Sequence, residues 1–204
     1  SLVVHLFASA PNVEFLYGDA LAVDISGRSY GLRTHVRDCD LDFLLYAGDP
    51  IVQPAAFWSR DLWNRLGGVS ESFEFAFDYE FWMRAAAVTT LHYVPVCFAV
   101  ESLHGQAKTS KGQLGRIAEI CTVARMHGGD GVPAGFAAEA AALESVAAFK
   151  ALLRGEIKVV RMRASSARAL KPGILKFGAH GFAQALPGTG AVPRLRLIAN
   201  KIRA

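Results

Sequence analysis

Asp78, His104 and three tryptophans are the residues of this 204-residue chain whose types and settings invite chemistry. Asp78 heads the segment Asp78-Tyr79-Glu80-Phe81-Trp82-Met83-Arg84. A carboxylate within hydrogen-bond reach of a hydroxyl can take its proton as the oxygen attacks. The same residue at the start of a helix can instead cap it. Glu80 and Arg84, four apart, suit an ion pair on one helix face. His104 reads as a loop residue; a neutral imidazole ligates manganese well, whereas magnesium prefers oxygen. By residue type alone a loop histidine is a solvated surface group, and so is the nearby Lys108. Trp58, Trp63 and Trp82 each offer a flat face on which the apolar side of a pyranose can stack. Trp63 and Trp82 fall in helical segments and read as core, which leaves Trp58 as the sugar candidate.

The elements that must position these groups alternate. Residues 13–17 and 21–24 are short β-type runs punctuated by Gly18 and Gly27. Gly48-Asp49-Pro50 is a turn, and residues 51–57 form an extended, buried segment. Ser59 is an N-cap, Asp61 sits in the first turn of the helix that follows, Arg65 in its last, and Gly67-Gly68 ends it. An aromatic connection at 73–77 leads into a buried helix at 78–87, and residues 93–100 return as a strand. This alternation predicts α/β layering. From residue 110 the pattern turns helical, with helices expected at 110–127 and 133–154.

Composition is that of a globular chain: 52% apolar and 20% charged residues exclude disorder and a stapled mini-protein. No uncharged run reaches the roughly 20 residues a membrane helix needs. Three widely spaced cysteines, Cys39, Cys97 and Cys121, argue against a disulfide framework and a zinc site, and no signal peptide is visible, so a cytoplasmic location is expected. Charge is strongly uneven. Residues 1–149 hold ten Lys and Arg against seventeen Asp and Glu, whereas residues 150–204 hold twelve against Glu156 alone. In the basic tail, Lys158, Arg161, Arg163, Arg168, Lys171 and Lys176 interleave with Ile157, Val159, Val160, Met162, Leu170, Ile174, Leu175 and Phe177. That pattern suits an anionic membrane surface, which would make the protein peripheral at the inner membrane face, or a solvated helical appendage. Nucleic-acid binding is not expected, because no recognition motif or aromatic platform accompanies the basic residues.

Five segments in order carry a family resemblance. They are Tyr17-Gly18-Asp19-Ala20; Gln53-Pro54-Ala55-Ala56-Phe57-Trp58-Ser59-Arg60; Gly67-Gly68-Val69-Ser70-Glu71; Asp78-Tyr79-Glu80-Phe81-Trp82-Met83-Arg84; and His104 with Lys108-Thr109. Together they resemble the C-terminal half of a family 2 glycosyltransferase of the GT-A fold. The resemblance covers roughly residues 13–109. It implies a partial GT-A-like mixed sheet with flanking helices over residues 1–109, a helical extension at 110–156 and a basic helical tail at 157–204.

The implied reaction moves a sugar from a nucleotide-sugar donor to a hydroxyl of a saccharide or lipid-linked acceptor, with inversion and a divalent metal, Mn2+ or Mg2+. Asp78 would be the base, His104 a metal or diphosphate contact, Lys108 a diphosphate contact, and Gln53, Trp58 and Arg60 pocket residues. Phe77 stands where family members often have Glu. Asp19 and Asp24, five apart, are not the family's Asp-x-Asp motif, and Asp19 reads as structural. No nucleotide-binding half precedes Val13, so the chain is expected to be a fragment, truncated at its N-terminus, with little activity alone. Two other classes of function fit the residues: a non-catalytic glycan-binding or assembly module, and a membrane-surface interaction protein.

Overall fold

The computed structural model describes residues 2–33, 38–104, 113–129 and 131–170. The chain divides into two units, residues 1–133 and 134–204. The first is α/β, as the alternation predicts. After helix α1 (Leu2–Ser9), strands β1 (Phe15–Val23) and β2 (Ser29–Arg33) lead to a π-helical turn at Phe43–Ala47. A 3-10 turn (Gln53–Ala55), strand β3 (Ala56–Trp58) and helices α2 (Arg60–Leu66) and α3 (Phe77–Ala86) follow, then strand β4 (His92–Ser102) and helix α4 (Gln113–Met126).

Among the described residues the sheet has four strands and is mixed. β4 runs parallel to β1 along most of its length. β3 pairs antiparallel with the start of β1 (Phe15 opposite Trp58), and β2 with its end (Ala20 opposite Arg33). The first six residues of β1 are all buried, the mark of a strand covered on both faces.

The two short strands expected around Gly18 are one continuous strand. Gly18 does not break it; it lets β4 approach. A Cβ at this position would meet the Val96 carbonyl oxygen and would lie 2.6 Å from the Phe98 ring. Local signals hold better in α2, where Ser59 Oγ accepts from the Leu62 amide at 3.0 Å and Gly67 closes the helix at φ 75°. The expected extended segment at 51–57 is interrupted by the 3-10 turn, into which Pro54 fits without a missing hydrogen bond.

Helix α4 belongs with the first unit and packs on α3, although the sequence reading assigns it to an extension beginning at residue 110. In the second unit, α5 (Ala134–Leu153) and α6 (Ile157–Leu170) form a hairpin turned at Gly155, φ 72°. Ala141, Ala167 and Leu170 pack within it, and Arg163 Nη1 meets Glu144 Oε1 at 2.9 Å. The expected boundary at 156/157 therefore falls inside one hairpin. Among the described residues no helix is long and apolar enough to cross a membrane.

Candidate functional site

Asp78 lies in the first turn of α3, and it is not the cap of that helix. The N-cap position is Ala76, whose side chain makes no capping bond. The turn ahead of the helix is held from α4. The Glu119 carboxylate accepts from the amides of Glu74 (3.0 Å), Phe75 (2.7 Å) and Ala76 (2.9 Å). Asp78 Oδ1 accepts only locally, from the Tyr79 amide at 2.8 Å. Burial pushes the Asp78 carboxyl above the usual carboxylate range; the Tyr79 amide, its own amide and the Arg116 guanidinium pull part of the way back. A carboxylate with raised proton affinity is a better general base at neutral pH.

The rest of α3 is pinned. Tyr79 donates its hydroxyl to the Leu44 carbonyl at 2.5 Å. Arg84 grips both carboxylate oxygens of buried Glu80 at 2.7 Å and donates to the Gly68 carbonyl at 2.7 Å and to that of Leu66. The i,i+4 pair expected from the sequence is therefore also the tie between α3 and the C-terminal end of α2.

A second carboxyl, Asp49, faces Asp78. It sits in the Gly48-Asp49-Pro50 turn, where its Oδ1 accepts from the Ile51 amide at 2.9 Å. Burial first, and then the Asp78 charge, push Asp49 up to about 8, against the opposing pull of the Ile51 amide, Arg33 and Arg116. The two carboxyls are coupled through this charge, so their protons come off as a pair and not independently. Sequence reasoning missed Asp49, Arg116 and Glu119 as parts of this site. The signals present were a Gly-Asp-Pro turn and an Arg and Glu three apart on one helix, each common for other reasons.

The sign of the Asp49 effect on stability is fixed. The folded chain keeps a proton between about pH 4 and pH 8 that the unfolded chain releases, so stability falls as pH rises through this window. Asp49 retains some solvent access, so the loss is expected at about 2 kcal/mol, below the full linkage value. Asp49→Asn keeps the acceptor for Ile51 and is expected to flatten most of this slope and to be the more stable protein at pH 8. Urea unfolding at pH 4 and pH 8 checks it, followed by tryptophan fluorescence, since all three tryptophans lie in the first unit.

The other predicted site residues fall into different places. His104 is exposed just beyond β4, where Ser102 pairs with Val23 and the Leu103 amide donates to the Val23 carbonyl at 2.7 Å. This is the carboxyl end of the parallel β1/β4 pair, a usual ligand-binding edge of α/β sheets. Arg33, held by Glu101 at 2.7 Å, is at the same end. Lys108 lies outside the described residues.

Gln53 and Arg60 are exposed, and Trp58 is half-buried. Trp58 stacks on Trp63 with centroids 5.9 Å apart and 12° between planes, and it touches Phe15, Phe81 and Trp82. Trp82 is core, as expected. Trp63, also expected to be core, is half-buried and shares with Trp58, Ser59, Arg60 and Asn64 the lining of a shallow pocket of about 460 Å³. Trp58 pairs opposite Phe15 and Arg33 opposite Ala20.

Among the described residues no three His, Cys, Asp or Glu side chains converge to hold a cation. No known protein-family model matches the chain, and no curated protein matches it.

Proposed function

We propose that this chain is the acceptor-side half of an inverting glycosyltransferase that uses a nucleotide-sugar donor, with Asp78 as general base. The supporting observation is that Asp78 is partly buried and raised in proton affinity, in the first turn of a helix whose lead-in turn is held by Glu119. In the transfer, the acceptor hydroxyl gives its proton to Asp78 while its oxygen bonds to the anomeric carbon. The bond from that carbon to the diphosphate breaks on the opposite face, and the nucleoside diphosphate leaves with the electron pair. Protonated Asp49 adds no second charge against the incoming hydroxyl, and Arg116 offsets the charge of Asp78 before it takes the proton.

The reading implies a divalent cation, manganese or magnesium, which would offset charge on the leaving diphosphate. The described residues do not form a set that could hold it, and His104 is this chain's candidate contact to it. The acceptor is a saccharide or a lipid-linked saccharide, with Gln53, Arg60 and the Trp58–Trp63 pair as sugar contacts. Loss of transfer in Asp78→Asn with the fold intact is the test.

A second reading is favoured by the α5–α6 hairpin. Leu152, Leu153, Ile157 and Met162 are exposed there, beside Arg154, Lys158 and Arg161. Apolar side chains ringed by cations suit an anionic bilayer surface, each cation contributing about 1 kcal/mol at low salt. The full chain is expected to sediment with phosphatidylserine vesicles and not with phosphatidylcholine ones, less so at high salt, and Leu153→Glu with Met162→Glu is expected to abolish it. Unchanged binding by the double variant would remove the hairpin from this reading.

A further inference from the structure

Helix α1 is apolar at six of its eight positions, yet none of its residues is buried. Val3, Val4 and Phe7 share one face of it, at helical spacing. With Ala56, Phe57 and Trp58 of β3 they line a cleft of about 520 Å³. The strand side of this cleft is fixed by packing behind it. Phe57 meets Phe98 of β4 edge-on with centroids 5.3 Å apart, and Trp58 is held among Phe15, Phe81 and Trp82. A preformed cleft lined by aliphatic and aromatic side chains suits a hydrocarbon.

The neighbouring pocket indicates what the hydrocarbon belongs to. Trp58 lines both the α1–β3 cleft and the pocket it shares with Ser59, Arg60, Trp63 and Asn64. In that second pocket the exposed Arg60 and Asn64 bring polar groups beside the indoles. One tryptophan thus stands between an apolar cleft and a polar one. An occupant of both is apolar at one end and rich in hydroxyls at the other.

We propose that the α1–β3 cleft holds the hydrocarbon chain of a glycolipid whose sugar lies against Trp58, Trp63 and Arg60. The proposal rests on the reading of the Trp58–Trp63 pair as sugar contacts, and it narrows the acceptor to the lipid-linked kind. It requires nothing of Asp78 or of the α5–α6 hairpin.

The test is titration of the full chain with decyl maltoside below its micelle concentration, with maltose, and with a decyl chain on a sugar-free ethylene glycol head. The readout is the indole N–H resonances of Trp58 and Trp63, assigned by Trp58→Phe and Trp63→Phe, which report on this site and not on the second unit. Decyl maltoside is expected to shift both resonances saturably and to bind at least about tenfold tighter than maltose, a factor that burial of about two methylenes supplies. Phe7→Glu is expected to bring decyl maltoside down to the affinity of maltose and to leave maltose binding unchanged. If Phe7→Glu does not fold, Val4→Glu, at a position 65% exposed, is expected to weaken decyl maltoside alone. Equal affinities for maltose and decyl maltoside would overturn the proposal and leave the sugar contacts standing. Equal affinities for the sugar-free amphiphile and decyl maltoside would reduce the cleft to an unselective apolar surface. A dimer in sedimentation that Val4→Glu makes monomeric would assign the cleft to a second copy instead. Unmoved resonances with all three probes would remove both the proposal and the sugar contacts, while the activity of Asp78→Asn still tests the base separately.

Discussion

Asp78→Asn is expected to lower sugar transfer by about a thousandfold, within the range contributed by a positioned general base. The substitution is close to silent for the fold. Asparagine retains the oxygen that accepts from the Tyr79 amide at 2.8 Å, and the turn ahead of the helix is held by Glu119 whatever residue stands at 78. Removing the charge also relieves repulsion with Asp49, so the variant should melt at or slightly above the parent temperature. The loss should fall on kcat and leave KM for the donor nearly unchanged, because the proton moves only as the new bond forms. The measurement is nucleoside diphosphate release from a panel of uridine and guanosine diphosphate sugars, with manganese and oligosaccharide acceptors, by the protein in its native length. The acid limb of the parent's pH profile should disappear in the variant. A variant that keeps more than a tenth of parental turnover would exclude Asp78 as base. Saccharide binding without turnover in the parent would favour the glycan-binding module instead.

The largest effect on stability is expected at Arg84. Its guanidinium holds both oxygens of Glu80, whose side chain is 6% exposed, and lies 5.4 Å above the Phe81 ring. It also accounts for the carbonyls of Leu66 and Gly68 at the end of α2. Arg84→Met preserves the apolar stem but leaves a buried carboxylate without its partner, which costs about 3–5 kcal/mol. Adding Glu80→Gln should recover a large part of this loss, since the uncompensated charge is then gone. Chemical unfolding of the parent, both single variants and the double variant gives the coupling. A loss below about 1 kcal/mol in Arg84→Met would show that the pair is as weak as a solvent-exposed one.

The parts of the first unit that are legible in the sequence are those fixed by neighbours a few residues away. Helix α2 is bounded by Ser59 and by Gly67, because the cap acts through an amide three residues on and the stop needs a left-handed residue. The Glu80–Arg84 pair follows from the helical repeat, and β4 from its run of β-type residues. The separation of an acidic part from a basic one is likewise plain in composition, whereas Asp78 is singled out by the family resemblance of its segment.

Tertiary structure alone decided the rest. Gly18 reads as a break in a strand, and becomes the point of closest approach only once β4 lies beside it. Asp78 reads as a helix cap, but the helix begins one residue before it, and the turn ahead is held by Glu119, 43 residues beyond Ala76. Asp49 carries no sequence signal of unusual proton affinity, since that property arises from burial and from the charge of a residue 29 positions later. A local pattern fixes torsions and hydrogen bonds within a turn or two of the chain. Desolvation, Coulomb interaction and hydrogen bonds between distant segments depend on distance in space, which packing sets.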